Sequence, residues 1–117
     1  MARFTKLRVW HQARVLLHLV SAATRDMRAE GDLKSQLRRA AISVVSNIAE
    51  GSERGSDREF RRFLAIANAS AAEVQAQVII ASDIDCLDLD TAMQIAEQCC
   101  VVGRMINRLM VRLDASG

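Results

Sequence analysis

The 117-residue sequence predicts an all-α protein, an antiparallel up-down-up-down four-helix bundle formed by one domain over residues 1–117. The chain has no proline and only five glycines, so it lacks the frequent turn signals of a β-sandwich. Half of its residues are hydrophobic but only 3% are aromatic, which predicts an aliphatic core. The apolar residues recur at spacings of three and four, the period of an α-helix.

The first two helices are predicted over residues 4–29 and 33–50. Gly31 suits the end of the first helix, and Asp32 suits the N-cap of the second. The inward stripe of the first helix is predicted to be Leu7, Trp10, Ala13, Leu17, Val20, Thr24 and Met27. That of the second is Leu37, Ala41, Val44 and Ile48, widened by Val45.

The third and fourth helices are predicted over residues 57–82 and 90–114. Ser56 and Glu59 match a capping box, in which Ser56 bonds forward and Glu59 reaches back, and Asp88 or Asp90 would cap the fourth helix. Gly103 costs about 1 kcal/mol of helix propensity relative to alanine, which predicts close packing there. The two stripes are Phe60, Leu64, Ala67, Ala71, Val74, Val78 and Ala81, then Ala92, Ile95, Cys99, Val102, Ile106, Leu109 and Leu113.

Short connections make neighbouring helices antiparallel, so the start of helix one, the corner between helices two and three and the end of helix four should share one end of the bundle. This basic pole is predicted to contain ten cationic residues against five acids, and the opposite end to be acidic. Such a pole could attract nucleic-acid phosphates, although arginines near a helix C-terminus also favour the helix dipole. The ten residues are Arg3, Lys6, Arg8, Arg54, Arg58, Arg61, Arg62, Arg104, Arg108 and Arg112.

Apolar residues outside the core stripes predict a cyclic homo-oligomer, because a lone bundle buries one stripe per helix. Helix three has Val78, Ile79 and Ile80 in succession. Helix four adds Met93, Cys100, Val101, Met105, Met110 and Val111. The alternative is a wide stripe on a well-buried helix.

Catalytic, metal and membrane functions find little support in the residues. Neither His11 nor His18 belongs to the Glu-x-x-His motif of di-iron bundles, and no Gly-rich loop precedes a Gly-Lys pair. We therefore expect no enzyme activity, no cofactor and no metal. Residues 63–82 are mostly apolar, but several polar side chains interrupt them, which favours a core helix over a membrane-spanning one. We therefore expect a soluble, cytoplasmic protein that does not associate with a membrane. Three cysteines, two of them adjacent, predict reduced thiols near the core.

Residues 36–78, "QLRRAAISVVSNIAEGSERGSDREFRRFLAIANASAAEVQAQV", resemble the bacterial four-helix-bundle proteins encoded in intervening sequences of large-subunit ribosomal RNA genes, and "LRVWHQARVL" resembles their opening. Val45 stands where the family has proline. The resemblance implies a homopentamer, related to the accessory protein of diversity-generating retroelements, which binds nucleic acid and a reverse transcriptase. The matching positions, whose roles would be structural or functional, are Arg38, Arg39, Asn47, Glu50, Gly51, Ser52, Glu59, Phe60 and Phe63.

Two functions stay open at this point. The first is a non-enzymatic oligomer that binds RNA or DNA phosphates through the basic pole. The second is a scaffold that docks a partner polypeptide on its apolar and acidic surfaces. The polar row of helix two is expected to form helix-to-helix hydrogen bonds, and comprises Ser43, Ser46, Asn47 and Glu50.

Overall fold

The computed structural model describes residues 3–27 and 31–116 and confirms the all-α class. A short 3-10 helix, Arg3–Lys6, precedes four α-helices, and the described residues contain no strand. The bundle measures 46 × 24 × 21 Å. The helices are α1 (Arg8–Arg25), α2 (Leu33–Ser52), α3 (Asp57–Asp83) and α4 (Leu89–Ser116).

Each α-helix packs against two neighbours, α1 and α3 each against α2 and α4, and within the described residues no diagonal pair brings Cα atoms within 8 Å of each other. A ladder of polar contacts aligns α3 antiparallel to α4. Its rungs are seven residues apart on both helices: Arg61–Asp114, Asn68–Asn107 and Gln75–Cys100. On the other side of the bundle, Gln98 Nε2 of α4 donates to the carbonyl and the side-chain oxygen of Gln12, both at 2.9 Å.

The core is aliphatic, as the composition predicts. Every predicted stripe residue of α2 and α3 is buried except Val45, which is half-buried, and the stripe of α4 is buried from Ala92 to Ile106. The α1 stripe was placed too far to one side, because Val9 and Leu16 are buried while Leu7, Trp10 and Leu17 are half-buried. At 100° per residue, positions 9, 13, 16 and 20 centre on the core, which leaves Trp10 and Leu17 at one edge of the helix, while Leu7 precedes it.

The first helix starts later than predicted. Residues 3–6 form a 3-10 turn, and the α-helix begins at Arg8 after Leu7, whose side chain provides no cap. At its other end, α1 stops at Arg25 within the described residues, and the predicted extension to residues 28 and 29 lies outside them. A β-like N-cap conformation at Leu7 separates the 3-10 turn from the α-helix.

The N-cap residues lie at the predicted positions, but not all of them form the predicted hydrogen bonds. Glu59 N donates to Ser56 Oγ at 3.1 Å, and Thr91 N donates to Asp88 Oδ2 at 3.0 Å, so Asp88 rather than Asp90 caps α4. Asp32 occupies the N-cap position of α2 without forming a side-chain cap bond. Gly31 and Gly55 adopt positive φ angles of 54° and 83°, which glycine tolerates at a helix corner.

Close packing occurs at Gly51 and not at Gly103. A Cβ added to Gly51 would lie 2.6 Å from Phe63 Cβ and 3.1 Å from Phe60 Cδ1. A Cβ added to Gly103 would meet only Asn68 Oδ1, at 3.5 Å, which is an ordinary contact. The prediction for Gly103 is therefore wrong. At Gly51, the absence of a Cβ lets the two phenylalanines approach the last turn of α2, which ends at Ser52.

Helix α3 is long and apolar enough to cross a membrane by length and composition alone. Its most apolar 18-residue window has a mean hydropathy of 1.4, and 39% of that window is buried in the bundle. The buried part is the core stripe, which packs against α2 and α4. The remainder faces away from the core.

Candidate nucleic-acid interface

The fold brings three separate segments of the basic pole together. The backbone N–H of Arg3 donates to Glu53 Oε1 at 2.8 Å, which joins the 3-10 helix to the α2–α3 corner. Arg61 Nε donates to Asp114 Oδ1 at 2.7 Å, which joins the start of α3 to the end of α4. Residues far apart in sequence thus share one end of the bundle, the arrangement that short antiparallel connections predict.

A groove of about 290 Å³ lies between the start of α1 and the last turns of α4. We call it the basic groove. Its eight lining residues comprise four cations and four apolar residues, with no acid among them. They are Lys6, Leu7, Arg8, Val9, Met105, Arg108, Leu109 and Arg112.

Helix dipoles do not explain the cations of the basic groove. Arg8 is the first residue of α1, where the dipole is positive, and the first turn contains no acid. The last turn of α4 contains no basic residue, because the helix continues to Ser116 beyond Arg112. Arg104, Arg108 and Arg112 are all exposed on one continuous helix. The dipole alternative for these three arginines is therefore not supported.

Three other arginines of the pole form ion pairs. Arg54 pairs with Glu50 at 2.6 Å, Arg61 with Asp114, and Arg62 with Glu59 at 2.9 Å. Such exposed pairs contribute little to stability, but they hold carboxylates beside these cations. The attraction to a phosphate is therefore weaker at these arginines than in the basic groove.

Glu59 does not complete the predicted capping box, since its two carboxylate oxygens contact Arg62 instead. The hydrogen bond from Arg62 lowers the pKa of Glu59, and the same bond raises the pKa of Arg62. Arg54 and Arg62 both lie over the Phe63 ring, at 4.8 and 4.7 Å from its centroid. This cluster stabilises the α2–α3 corner.

The family-motif residues around the α2–α3 corner mostly have structural contacts. Phe60 and Phe63 are buried beneath the corner, and Ser52 Oγ donates to the Ala49 carbonyl at 2.8 Å. Glu50 reaches the corner through Arg54. Two further motif residues, Arg38 and Arg39, are exposed on α2, away from the basic pole.

The polar row of α2 reaches a neighbouring helix at one position. Ser43 Oγ and Ser70 Oγ of α3 are 2.8 Å apart. Asn47 does not contact the corner, because its Nδ2 donates to the backbone carbonyl and hydroxyl of Ser43. Ser46 Oγ donates to the Ile42 carbonyl within α2.

An apolar surface on α3 was only partly recognised from the sequence. Eight exposed residues between Arg62 and Asp83 form what we call the α3 outer face. Glu73 is its one charge and accepts a hydrogen bond from Gln77 Nε2 at 3.1 Å. The alanines of this face could not be assigned to it from the sequence, because alanine occurs both in cores and on surfaces. The eight are Ala65, Ile66, Ala69, Ala72, Glu73, Ala76, Ile79 and Ile80.

Five of the six apolar residues of α4 outside its stripe divide into two groups, and the sixth, Val101, is half-buried. Met105 and Met110 pack against the core, as the wide-stripe alternative expects. Met93 and Val111 are 57% and 67% exposed, and Cys100 is also exposed. Burial on a single bundle therefore accounts for only part of the apolar excess.

The opposite end contains a wider acidic pocket of about 660 Å³. Asp26, Asp85 and Asp88 lie on it together with apolar residues that include Leu19 and Met27. Within the described ranges, no three histidine, cysteine, aspartate or glutamate side chains are arranged to hold a metal ion. His11 and His18 are exposed on α1, and His11 Nε2 lies 2.7 Å from the Thr5 carbonyl.

The fold and its charge distribution define the class of the protein, an all-α four-helix bundle with a cationic end. The family model of the 23S rRNA-intervening sequence protein matches residues 5–108. The chain belongs to this family, and the resemblance of residues 36–78 is thereby confirmed. No curated protein matches the chain.

Proposed function

We propose that this protein is a non-enzymatic, homo-oligomeric module that binds RNA or DNA phosphates through its basic pole. The observation that supports this function is the basic groove, where Lys6 and Arg8 lie beside Arg108 and Arg112. Four cations without a lining acid produce a positive potential, which attracts a polyanion more strongly than paired surface charges do.

The binding would be dominated by phosphate contacts. The basic groove offers cationic side chains and an aliphatic floor, and neither distinguishes one base edge from another. We therefore expect a strong dependence on salt and little preference for sequence.

Fluorescence anisotropy with a structured RNA and a duplex DNA tests the proposal. Affinity should fall by orders of magnitude between about 50 and 200 mM salt if several phosphates are contacted. Reversing all three α4 arginines to glutamate, R104E/R108E/R112E, should abolish binding while circular dichroism stays helical. A control with the same change in charge is R25E/R38E/R39E, since these three exposed arginines lie outside the pole. The proposal is contradicted if neither nucleic acid binds at low salt. It is also contradicted if the control variant loses as much affinity as R104E/R108E/R112E does.

The α3 outer face supports a cyclic homo-oligomer. Seven of its eight exposed residues are alanine or isoleucine, and Ile79 and Ile80 are 45% and 48% exposed. Small side chains allow a helix of a second copy to approach closely, and a nearly uncharged face can pack on a different apolar surface of that copy, the head-to-tail contact that closes a ring. A ring of subunits would repeat the basic pole and raise its affinity for one polyanion through multivalency.

Sedimentation or light scattering in detergent-free buffer tests the assembly. The wild-type protein should form a discrete oligomer, and I79E/I80E should dissociate it. The control is I42E, an exposed isoleucine on α2. A monomeric wild type, or binding of the protein to liposomes without self-association, rules out this interpretation of the α3 outer face.

A scaffold for a partner polypeptide is the second candidate. The acidic pocket favours it, because Asp85 and Asp88 lie beside apolar residues such as Leu87, a combination that suits a basic amphipathic segment. A complex with a purified partner that survives nuclease and is lost in D26K/D85K, which keeps the Asp88 cap, would support this function.

A further inference from the structure

We propose that the basic groove holds one unpaired nucleotide of a nucleic-acid strand, with the phosphate on the cationic rim and the base on the apolar floor. The inference rests on the proposed function and specifies its ligand. The rim is Lys6, Arg8, Arg108 and Arg112, and the floor is Leu7, Val9, Met105 and Leu109.

The size of the groove favours a single nucleotide. Its volume of about 290 Å³ is just below the range of drug-sized ligand pockets, roughly 300–1,000 Å³. A paired duplex presents its phosphates on a convex surface and keeps its base faces stacked, so it would meet the rim without reaching the floor. A single strand can turn one base out of the stack.

The chemistry of the groove fits both parts of a nucleotide. Arginine binds phosphate oxygens in a bidentate manner, and Arg8, Arg108 and Arg112 come from two different helices. Leu7, Met105 and Leu109 are half-buried and packed against the core, so they provide a supported apolar surface for a base face. Because the floor has no hydrogen-bonding side chain, any base should be accepted.

The N-terminus of α1 is a second reason to expect an anion to bind in the basic groove. Leu7 is the N-cap residue and offers no side-chain acceptor to the first turn, and that turn contains no acid. Lys6 and Arg8 therefore place positive charge at the positive end of the helix dipole, which is unfavourable without a counter-charge. A phosphate in the groove would offset both the side-chain charge and the dipole.

Anisotropy with three ligands of equal length tests the inference: a single strand, a blunt duplex and a duplex with a short single-stranded overhang. The single strand and the overhang should bind roughly tenfold more tightly than the blunt duplex, because only an unpaired base can cover the aliphatic floor and remove it from water. The floor variant M105A/L109A should remove this preference and leave duplex binding unchanged. The matched control M93A/V111A, altered at exposed α4 positions, should keep it.

A competition experiment needs no variant. Adenosine monophosphate should displace the single strand at lower concentration than inorganic phosphate, and polyglutamate should compete poorly. The inference is overturned if the single strand and the blunt duplex bind with equal affinity. It is also overturned if polyglutamate displaces the single strand as effectively as adenosine monophosphate does. In that case, salt-dependent binding that is lost in R104E/R108E/R112E still supports the proposed function. If no nucleic acid binds at all, both proposals fail.

Discussion

Gly51 packs its α-carbon directly against Phe63, so closely that a Cβ at position 51 would lie 2.6 Å from Phe63 Cβ. The contact joins the last turn of α2 to the first turns of α3. Both atoms are fixed to backbone, and neither can rotate away. The α2–α3 corner, and with it the placement of Arg54 and Arg58, depends on this absence of a side chain.

Replacing Gly51 with alanine should destabilise the protein by about 1–3 kcal/mol, the usual cost of overpacking a filled site. The gain in helix propensity, about 1 kcal/mol, opposes this cost but does not relieve the contact. Urea denaturation measures the difference. Gly103→Ala is the matched control, because its added Cβ would meet only Asn68 Oδ1 at 3.5 Å. We expect Gly103→Ala to leave the free energy of unfolding unchanged or to raise it. If Gly103→Ala lowers it and Gly51→Ala does not, the close contact between Gly51 and Phe63 is contradicted.

Removing the cap of α3 should weaken the corner in a different way. Ser56→Ala deletes the acceptor of the Glu59 N–H and should cost about 1 kcal/mol. Ser56→Asp retains an acceptor and should restore most of the loss. Thermal unfolding of the three proteins gives the comparison, and equal midpoints would show that the hydroxyl does not cap the helix in solution.

The Asp88 cap of α4 should make the stability of the protein depend on pH in the acidic range. Interactions with the side chain and backbone N–H of Thr91 lower the pKa of Asp88 below its usual value of 3.8. A carboxylate with a lowered pKa in the folded state contributes stability that is fully present above its unfolded pKa and is lost as the pH falls through the folded pKa. The difference in unfolding midpoint between wild type and Asp88→Asn should therefore be constant near neutral pH and shrink below about pH 3.8. A difference that does not change down to pH 2 would exclude a titrating cap.

The cysteines should differ in reactivity although two of them are adjacent. Burial raises the pKa of Cys99 to about 12, and Cys86 is also buried, whereas Cys100 is exposed. A thiol reagent at neutral pH should modify one cysteine rapidly in the native protein, and Cys100→Ser should remove that fast phase. All three thiols should react in urea. More than one fast thiol in the folded protein would contradict the described burial.

Much of the fold can be predicted from the sequence, because helical periodicity and caps are local signals. The stripes of α2 and α3 and the cap at Ser56 follow from residues within a few turns of one another. The start of α1 could not be predicted in the same way, because the 3-10 turn of Arg3–Lys6 is held by Glu53, fifty residues away in sequence. The ion pair between Arg61 and Asp114 could not be predicted either, because the two residues lie on different helices, α3 and α4.

The sequence alone determined that this chain forms four amphipathic helices and collects cations near three of their ends, since both properties depend on spacing along the chain. The tertiary structure decided which of those cations share a surface. It paired Arg61 of α3 with Asp114 of α4. It also brought four cations together around one groove, Lys6, Arg8, Arg108 and Arg112. The physical reason is that charge interactions act through space over a few ångströms, and the rotation of each helix within the bundle sets those distances.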